Sequence, residues 1–358
     1  MSKLQYLSLL LLILFIISCS QNNSSENENI DRTEESKLFW DCENLAALEP
    51  YKFNDLASSG DPLTFEPMYI KYDSFRDRLL VLDGAKYKLL IISPEGELLK
   101  EIGQQGEAVS EFSSPGHFDY DQDGNIFILD NNKVEVYDSL GNERRSFVPD
   151  HLPWRILVED NSLFILTDFY FTGKVLARYS LSGELFNEYI DKIEVDCSDL
   201  EEKKVLEMLV NESEFTKDSE GNIYVGFISE YRIVKVDTGG NINYSYITRE
   251  LPFDLIKPHW SKDTSDRCLN RIVEDISIDE NDYLYILWGE NFGEPNCRVD
   301  VFDNRGELID VLKLAVPSTG QQFRRFYRSP IMDIEVHGQY LYASESYTDG
   351  LIYRYRIK

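Results

Sequence analysis

Asp119-Tyr-Asp-Gln-Asp-Gly-Asn-Ile-Phe-Ile-Leu-Asp130, followed by Val134-Glu-Val-Tyr-Asp-Ser-Leu-Gly141, is the stretch on which the fold turns. It reads as a strand, a tight Asp-x-Asp-Gly-Asn turn, a second strand in which Ile126 and Ile128 alternate with Phe127 and Leu129, and a third strand ending in an Asp-x-x-Gly turn. A pattern this short and regular asks whether it recurs, because a missed repeat misassigns a whole fold.

It recurs six times, in copies that begin near Tyr69, Phe118, Arg155, Glu214, Ile276 and Met332. Each copy carries a second strand of the type Leu/Ile-aromatic-Ile/Val, as in Leu163-Phe-Ile-Leu166, Ile223-Tyr-Val-Gly226 and Leu284-Tyr-Ile-Leu287. A third strand follows in every copy, for example Ile233-Val-Lys-Val-Asp237 and Val299-Asp-Val-Phe-Asp303. Five copies continue through a glycine turn (Gly96, Gly141, Gly183, Gly240, Gly306) into a fourth strand, whereas the last stops at Lys358. Four-stranded sheets repeated radially must leave an open edge or borrow a strand from the other end of the chain. The segment Lys37 to Leu56 is available for that purpose. The expected fold is therefore all-β, a six-bladed β-propeller over residues 37–358 whose ring is closed by an N-terminal strand.

Ahead of this domain, Met1 to Cys19 has a positive start at Lys3, an apolar core from Leu7 to Ile17 and a small-residue exit at Ile16-Ile-Ser-Cys19. The core is shorter than the roughly twenty apolar residues a membrane-spanning helix needs, so it reads as a signal peptide. A cysteine at its end resembles the lipobox of bacterial lipoproteins, which implies lipidation of Cys19, with palmitate-type acyl chains, and anchoring in the cell envelope, at the outer membrane. Each buried methylene would add about 0.8 kcal/mol to that anchoring. Residues 20–36, rich in Asn, Ser and Glu and free of aromatics, cannot bury enough apolar surface to order themselves and read as an acidic tether.

The 64 acidic against 36 basic residues leave a formal charge of −28, which repels phosphate backbones and argues against nucleic-acid binding. The cysteines other than Cys19 are Cys42, Cys197, Cys268 and Cys297. An export compartment permits pairing, with Cys268 and Cys297 able to bridge across the fifth blade; isolated buried thiols are the alternative. No C-x-x-C spacing points to zinc or redox chemistry.

Three insertions depart from the repeat, and departures are where function is grafted onto a scaffold. Asp196 to Val210 has Ser198 and Glu201 at capping-box spacing and Val205, Leu206, Leu209 and Val210 at helical spacing, which predicts a short helix between blades three and four. Arg249 to Arg271 carries His259 and Trp260, and Ala315 to Pro330 carries Arg324, Arg325, Tyr327 and Arg328. All three join a fourth strand to the next first strand, so they should crowd one mouth of the central channel. Arginines among aromatics in so acidic a chain suit an anionic, ring-bearing ligand such as an acidic glycan. His117 and Arg155, placed just before their inner strands, are further candidates at the same mouth.

Asp119, Asp121, Asp123 and Asp130 match the spacing of an EF-hand calcium loop, with Asp in place of the final Glu. Strands rather than helices flank it, and sister copies keep the turn with fewer acids (Asp218-Ser-Glu-Gly-Asn222), so a hairpin turn is expected. Four histidines, His117, His151, His259 and His337, show no spacing typical of a metal site, and no metal or other cofactor is expected.

Asp-x-x-Gly-Asn-Ile-Tyr-Val followed by Val-x-Val-Phe-Asp-x-x-Gly resembles the NHL-type repeat, and the whole layout is similar to exported six-bladed propeller lipoproteins of Gram-negative bacteria. Within Ile102 to Pro115, Gly103, Gly106, Glu111, Phe112 and Pro115 match the connector of that group, while Ala108, Val109 and Ser110 depart from it. The resemblance implies a rigid binding platform for a protein partner or ligand. The alternative it implies is a metal-dependent lyase or hydrolase at the channel mouth.

Overall fold

The computed structural model describes residues 51–52, 66–167, 173–196, 200–248, 259–261, 266–268, 271–289, 296–316, 331–345 and 351–357. They form six four-stranded antiparallel sheets. Blade one comprises Pro67–Asp73, Arg78–Asp83, Lys88–Ile92 and Leu98–Ile102. Blades two and three run from Pro115–Tyr120 to Glu143–Phe147 and from Pro153–Glu159 to Leu185–Asp191. Blades four and five run from Ser213–Lys217 to Ile242–Thr248 and from Val273–Ile278 to Leu308–Ala315. Blade six is built of Ile331–His337, Tyr340–Glu345 and Leu351–Arg356, and its outer strand is Tyr51–Lys52, with Tyr51 opposite Arg354 and Lys52 opposite Tyr353. The ring is thus closed by an N-terminal strand, and neighbouring first strands pack side by side around the centre.

Second strands such as Arg78–Asp83, Ile126–Asp130 and Ser162–Thr167 are buried along their whole length. Both faces of each blade are covered by the next blade, so the period-two alternation seen in sequence separates two cores rather than a core from water. One core joins Leu80, Leu82 and Ile91 of blade one to Phe118, Ile126 and Ile128 of blade two, and another joins Val299 and Leu314 of blade five to Ile334 and Leu341 of blade six. Outer strands carry the polar side: Leu98–Ile102 is exposed except at Ile102.

The two faces of the ring differ. First-to-second and third-to-fourth strand turns span two residues (Asp160 and Asn161) to five (Asp121 to Asn125). Four are built alike: Asp121 accepts the backbone and side-chain amides of Asn125, each at 2.7 Å, while Gly124 N–H returns to Asp121 O at 2.9 Å. Asp138, Asp218 and Asp237 repeat this with Asn142, Asn222 and Asn241. The carboxylates of the calcium-loop match diverge: Asp119 binds Val158 N–H, Asp121 its own turn, and Asp130 the N–H groups of Ser113 and Ser114. The stretch is a hairpin turn.

The opposite face carries every long connection. In residues 103–114, Gly103 has a φ of +88° and packs so tightly on the fully buried Phe112 that a Cβ would lie 2.1 Å from its ring. Residues 192–212 contain helix α1, Leu200–Asn211, which buries Leu206, Leu209 and Val210. It lies against a hairpin of His259–Ser261 and Asp266–Cys268. Cys297 is buried in the core between blades five and six. Cys42, Cys197 and the Ser198 cap lie outside the described residues.

Candidate functional site

The first strands open at their starts onto this second face, and the same irregularity occurs there in five blades. Register slips between Pro67 and Tyr69, Pro115 and His117, Pro153 and Arg155, Val273 and Asp275, and Ile331 and Asp333. A β-bulge of this kind re-aims the side chains that follow it. The residue after each bulge stands opposite the last residue but one of its second strand: Tyr69 opposite Leu82, His117 opposite Leu129, Arg155 opposite Leu166, Asp275 opposite Leu287 and Asp333 opposite Ser344. In blade four Glu214, opposite Gly226, takes the place without a bulge. These six positions form one tier of the channel, one residue per blade. Two residues further along, Lys71, Asp119, Leu157, Thr216, Ser277 and Glu335 form the next.

Contacts within the upper tier run across the centre. Arg155 forks onto Glu214, with Nη2 to Oε1 at 2.6 Å and Nε to Oε2 at 2.9 Å, and its guanidinium lies 4.8 Å over the ring of Tyr69. Tyr69 is in turn 4.6 Å from the imidazole of His117. In the lower tier Lys71 faces Glu335 at 3.9 Å.

Acceptors of both tiers also tie blade two to three, blade five to six and blade six to one. His117 Nδ1 accepts Ile156 N–H at 3.4 Å and Asp119 accepts Val158 N–H at 2.6 Å. Asp275 accepts Ile334 N–H and Asp333 accepts Ile70 N–H, each at 2.7 Å. Ser277 Oγ accepts Val336 N–H at 3.2 Å, and Glu335 accepts Tyr72 N–H at 3.1 Å.

Burial of carboxylates and cations together in the channel shifts several of their proton equilibria. Burial pushes Asp333 up to about 8 against the pull of Lys71. Burial, reinforced by Asp333, also raises Asp275 well above the carboxylate range, and burial raises Glu335. Burial lowers His117 far below its ordinary value, helped by Arg155 and Lys71, so its imidazole is neutral and free to accept through Nδ1. Burial disfavours the charge on Lys71, yet Glu335, Asp119 and Asp333 hold it above its usual range. The channel mouth is a charged, proton-sharing ring in which each acceptor already serves a neighbouring blade. Among the described residues no group of three or more His, Cys, Asp or Glu side chains is arranged to hold a metal.

Of the residues singled out by sequence, His117 and Arg155 are brought together here. They lie within their inner strands rather than ahead of them, because those strands begin at Pro115 and Pro153, and a proline at the first residue of a strand masks its start. His259 and Trp260 form one strand of the hairpin beside α1. Arg324, Arg325, Tyr327 and Arg328 lie outside the described residues. Sequence reading missed Tyr69, Glu214, Asp275 and Asp333. The available signal was a polar or ionisable group at one equivalent position of all six copies.

Beside Arg155, a cavity of about 240 Å³ lies between blade three and α1, lined by Trp154, Leu166, Thr167, Met208, Leu209 and their neighbours.

Solved structures share this architecture. A protein from Bacteroides fragilis NCTC 9343, described as exported, superposes with a TM-score of 0.57 at 14% identity, covering 87% of this chain and 95% of that one. A member of the duf4221 family from Bacteroides vulgatus ATCC 8482 gives 0.53 at 12% identity, covering 87% and 96%. No curated protein matches the sequence. The model of a family described as 6-bladed beta-propeller, DUF5128, matches residues 20–247, and with the six blades and their closing strand in view the chain belongs to that family.

Proposed function

We propose that the protein is an exported, lipid-anchored binding platform that engages a ligand or protein partner through the face on which its first strands begin. The observation that carries this reading is the asymmetry of the two faces. One is paved by short Asp-built turns, while the other gathers α1, the His259–Ser261 hairpin, the long connections, the cavity beside Trp154 and the charged channel mouth. A scaffold that varies on one side only is built to present that side. Similarity in fold to a protein described as exported supports the location, as does the signal-like segment ending at Cys19. No helix among the described residues is long and apolar enough to cross a membrane, consistent with attachment by lipid alone.

The ligand we assign to this face is an anionic, ring-bearing molecule of the acidic-glycan type, held by Arg324, Arg325 and Arg328, with Trp260 and Tyr327 as stacking surfaces and His259 beside them. The test is a screen of anionic and neutral glycans against the wild-type ectodomain and an Arg325→Ala variant. Anionic glycans should bind, and loss of one arginine should weaken them about ten- to a hundredfold, the worth of one charge-assisted hydrogen bond. Absence of any anionic binder, or binding unchanged after replacement of all three arginines, overturns the assignment. For the anchor, Cys19→Ala should abolish incorporation of labelled fatty acid; equal labelling of the variant refutes it.

A further inference from the structure

We infer that the cavity between blade three and α1 is a receptor for one large apolar side chain presented by a basic segment of a protein partner. The inference rests on the proposed binding face but concerns a different site from the arginine cluster.

Trp154 is the residue at the bulge between Pro153 and Arg155. The bulge leaves its indole 44% exposed at the edge of the cavity, in a strand whose neighbours Ile156, Leu157 and Val158 are buried. In the connection that leads into this strand from blade two, Val148 and Leu152 are 63% and 42% exposed. Inside, Leu166 comes from the second strand of blade three, and Met208 and Leu209 from α1. A methionine thioether adapts its shape to differing apolar guests.

The polar lining decides the class of guest, because Arg155, Asn211, Thr167 and Glu212 already have partners. The Arg155 guanidinium is forked onto Glu214. The Asn211 amide donates to Ile193 O and Glu207 O and accepts from Ile193 N–H. Thr167 Oγ1 donates to Lys174 O, and Glu212 is held by Arg271 at 3.0 Å. A sugar ring needs several directional hydrogen bonds from its walls and would have to break these; an apolar side chain needs none of them. The volume agrees, since about 150 Å³ already admits a benzene ring and 240 Å³ admits a Phe, Leu or Met side chain with little to spare. Glu212 lines the cavity on a chain of charge −28, so flanking lysines or arginines on the partner complement it.

The test uses the purified ectodomain and three capped tripeptides, acetyl-Lys-Phe-Lys-amide, acetyl-Lys-Ala-Lys-amide and acetyl-Glu-Phe-Glu-amide, titrated by calorimetry or NMR. The Lys-Phe-Lys peptide should bind about ten- to a hundredfold more tightly than the alanine peptide, the worth of burying one phenyl group. It should also bind more tightly than its acidic counterpart. Trp154→Ala should weaken it, and Met208→Trp, which fills the cavity from a half-exposed helix position, should abolish it while leaving the melting temperature within a few degrees of wild type. Equal binding of the phenylalanine and alanine peptides, undiminished binding to Met208→Trp, or a preference for methyl glucoside over the peptide overturns the inference. Glycan binding that depends on Arg325 and persists in Met208→Trp would leave the platform reading standing while the cavity assignment is judged on the peptides alone.

Discussion

The carboxylate of Asp333 accepts the backbone N–H of Ile70 at 2.7 Å, although 263 residues separate the two along the chain. The bond joins the last blade to the first at the channel mouth, and Asp275, Asp119 and His117 make the equivalent bond between other pairs of blades. The ring of polar side chains is therefore both the candidate site and part of what holds the ring shut.

Asp333→Ala should destabilise the protein by about 1–3 kcal/mol, since it strands a buried N–H, whereas Asp333→Asn keeps the acceptor and removes the charge. An unfolded aspartate loses its proton near pH 4, while folded Asp333 keeps it to about 8. Between those values the folded state binds more protons, so this group's contribution to stability falls as pH rises. Urea unfolding between pH 5 and 8 should show Asp333→Asn gaining on wild type with pH; parallel curves would refute the assignment. His117, lowered by burial, has the opposite sign and weakens the fold as pH drops below about 6.5.

Arg155 and Glu214 should behave as a unit. Removing either alone leaves a buried charge and should cost about 3–5 kcal/mol, whereas Arg155→Met with Glu214→Leu should cost much less than the sum. Arg155→Lys should not restore the wild type, because an ammonium cannot fork onto both carboxylate oxygens or stack over Tyr69. A double-mutant cycle by chemical denaturation measures the coupling, and additivity would refute it.

Closure by Tyr51–Lys52 predicts different outcomes for two truncations. Deleting residues 20–36 should leave the melting temperature unchanged. Deletion through Leu56 removes the strand that covers Leu351–Arg356 and should expose a sheet edge that aggregates. Light scattering during a thermal scan distinguishes the two, and equal behaviour refutes the role of the strand.

Gly103 and Gly173 both have positive φ, at +88° and +73°, but only at Gly103 would a Cβ collide with a neighbour, the Phe112 ring. Gly173→Ala should therefore cost about 1 kcal/mol of backbone strain, and Gly103→Ala clearly more, because Phe112 must leave its pocket. Thermal unfolding of the two variants ranks them, and an equal loss would place the cost in the backbone alone.

Much of the fold is legible in the residues because its information is local and repeated. The Asp-x-x-Gly turns specify hairpins through a side chain and a backbone four residues apart, as Asp138 and Asn142 show, and six copies of one pattern leave few architectures to choose from. The sixth copy reads as three strands, and an unpaired edge is a local fact with a global consequence: Tyr51–Lys52 pairs with Leu351–Arg356.

What the chain alone determined is thus the blade, its count and its closure; what only the tertiary structure decided is the site. Tyr69, His117, Arg155, Glu214, Asp275 and Asp333 lie in six separate copies and differ in residue type, so their common place in the repeat is the one sign in the sequence that they meet. Their meeting depends on the ring closing and, in five of the six blades, on a bulge that turns the side chain by one position. Their chemistry depends on burial, which raises Asp275 and Asp333, and Glu335 in the tier below, toward the protonated form. Residue types set the pieces, and desolvation inside the closed ring set what those pieces do.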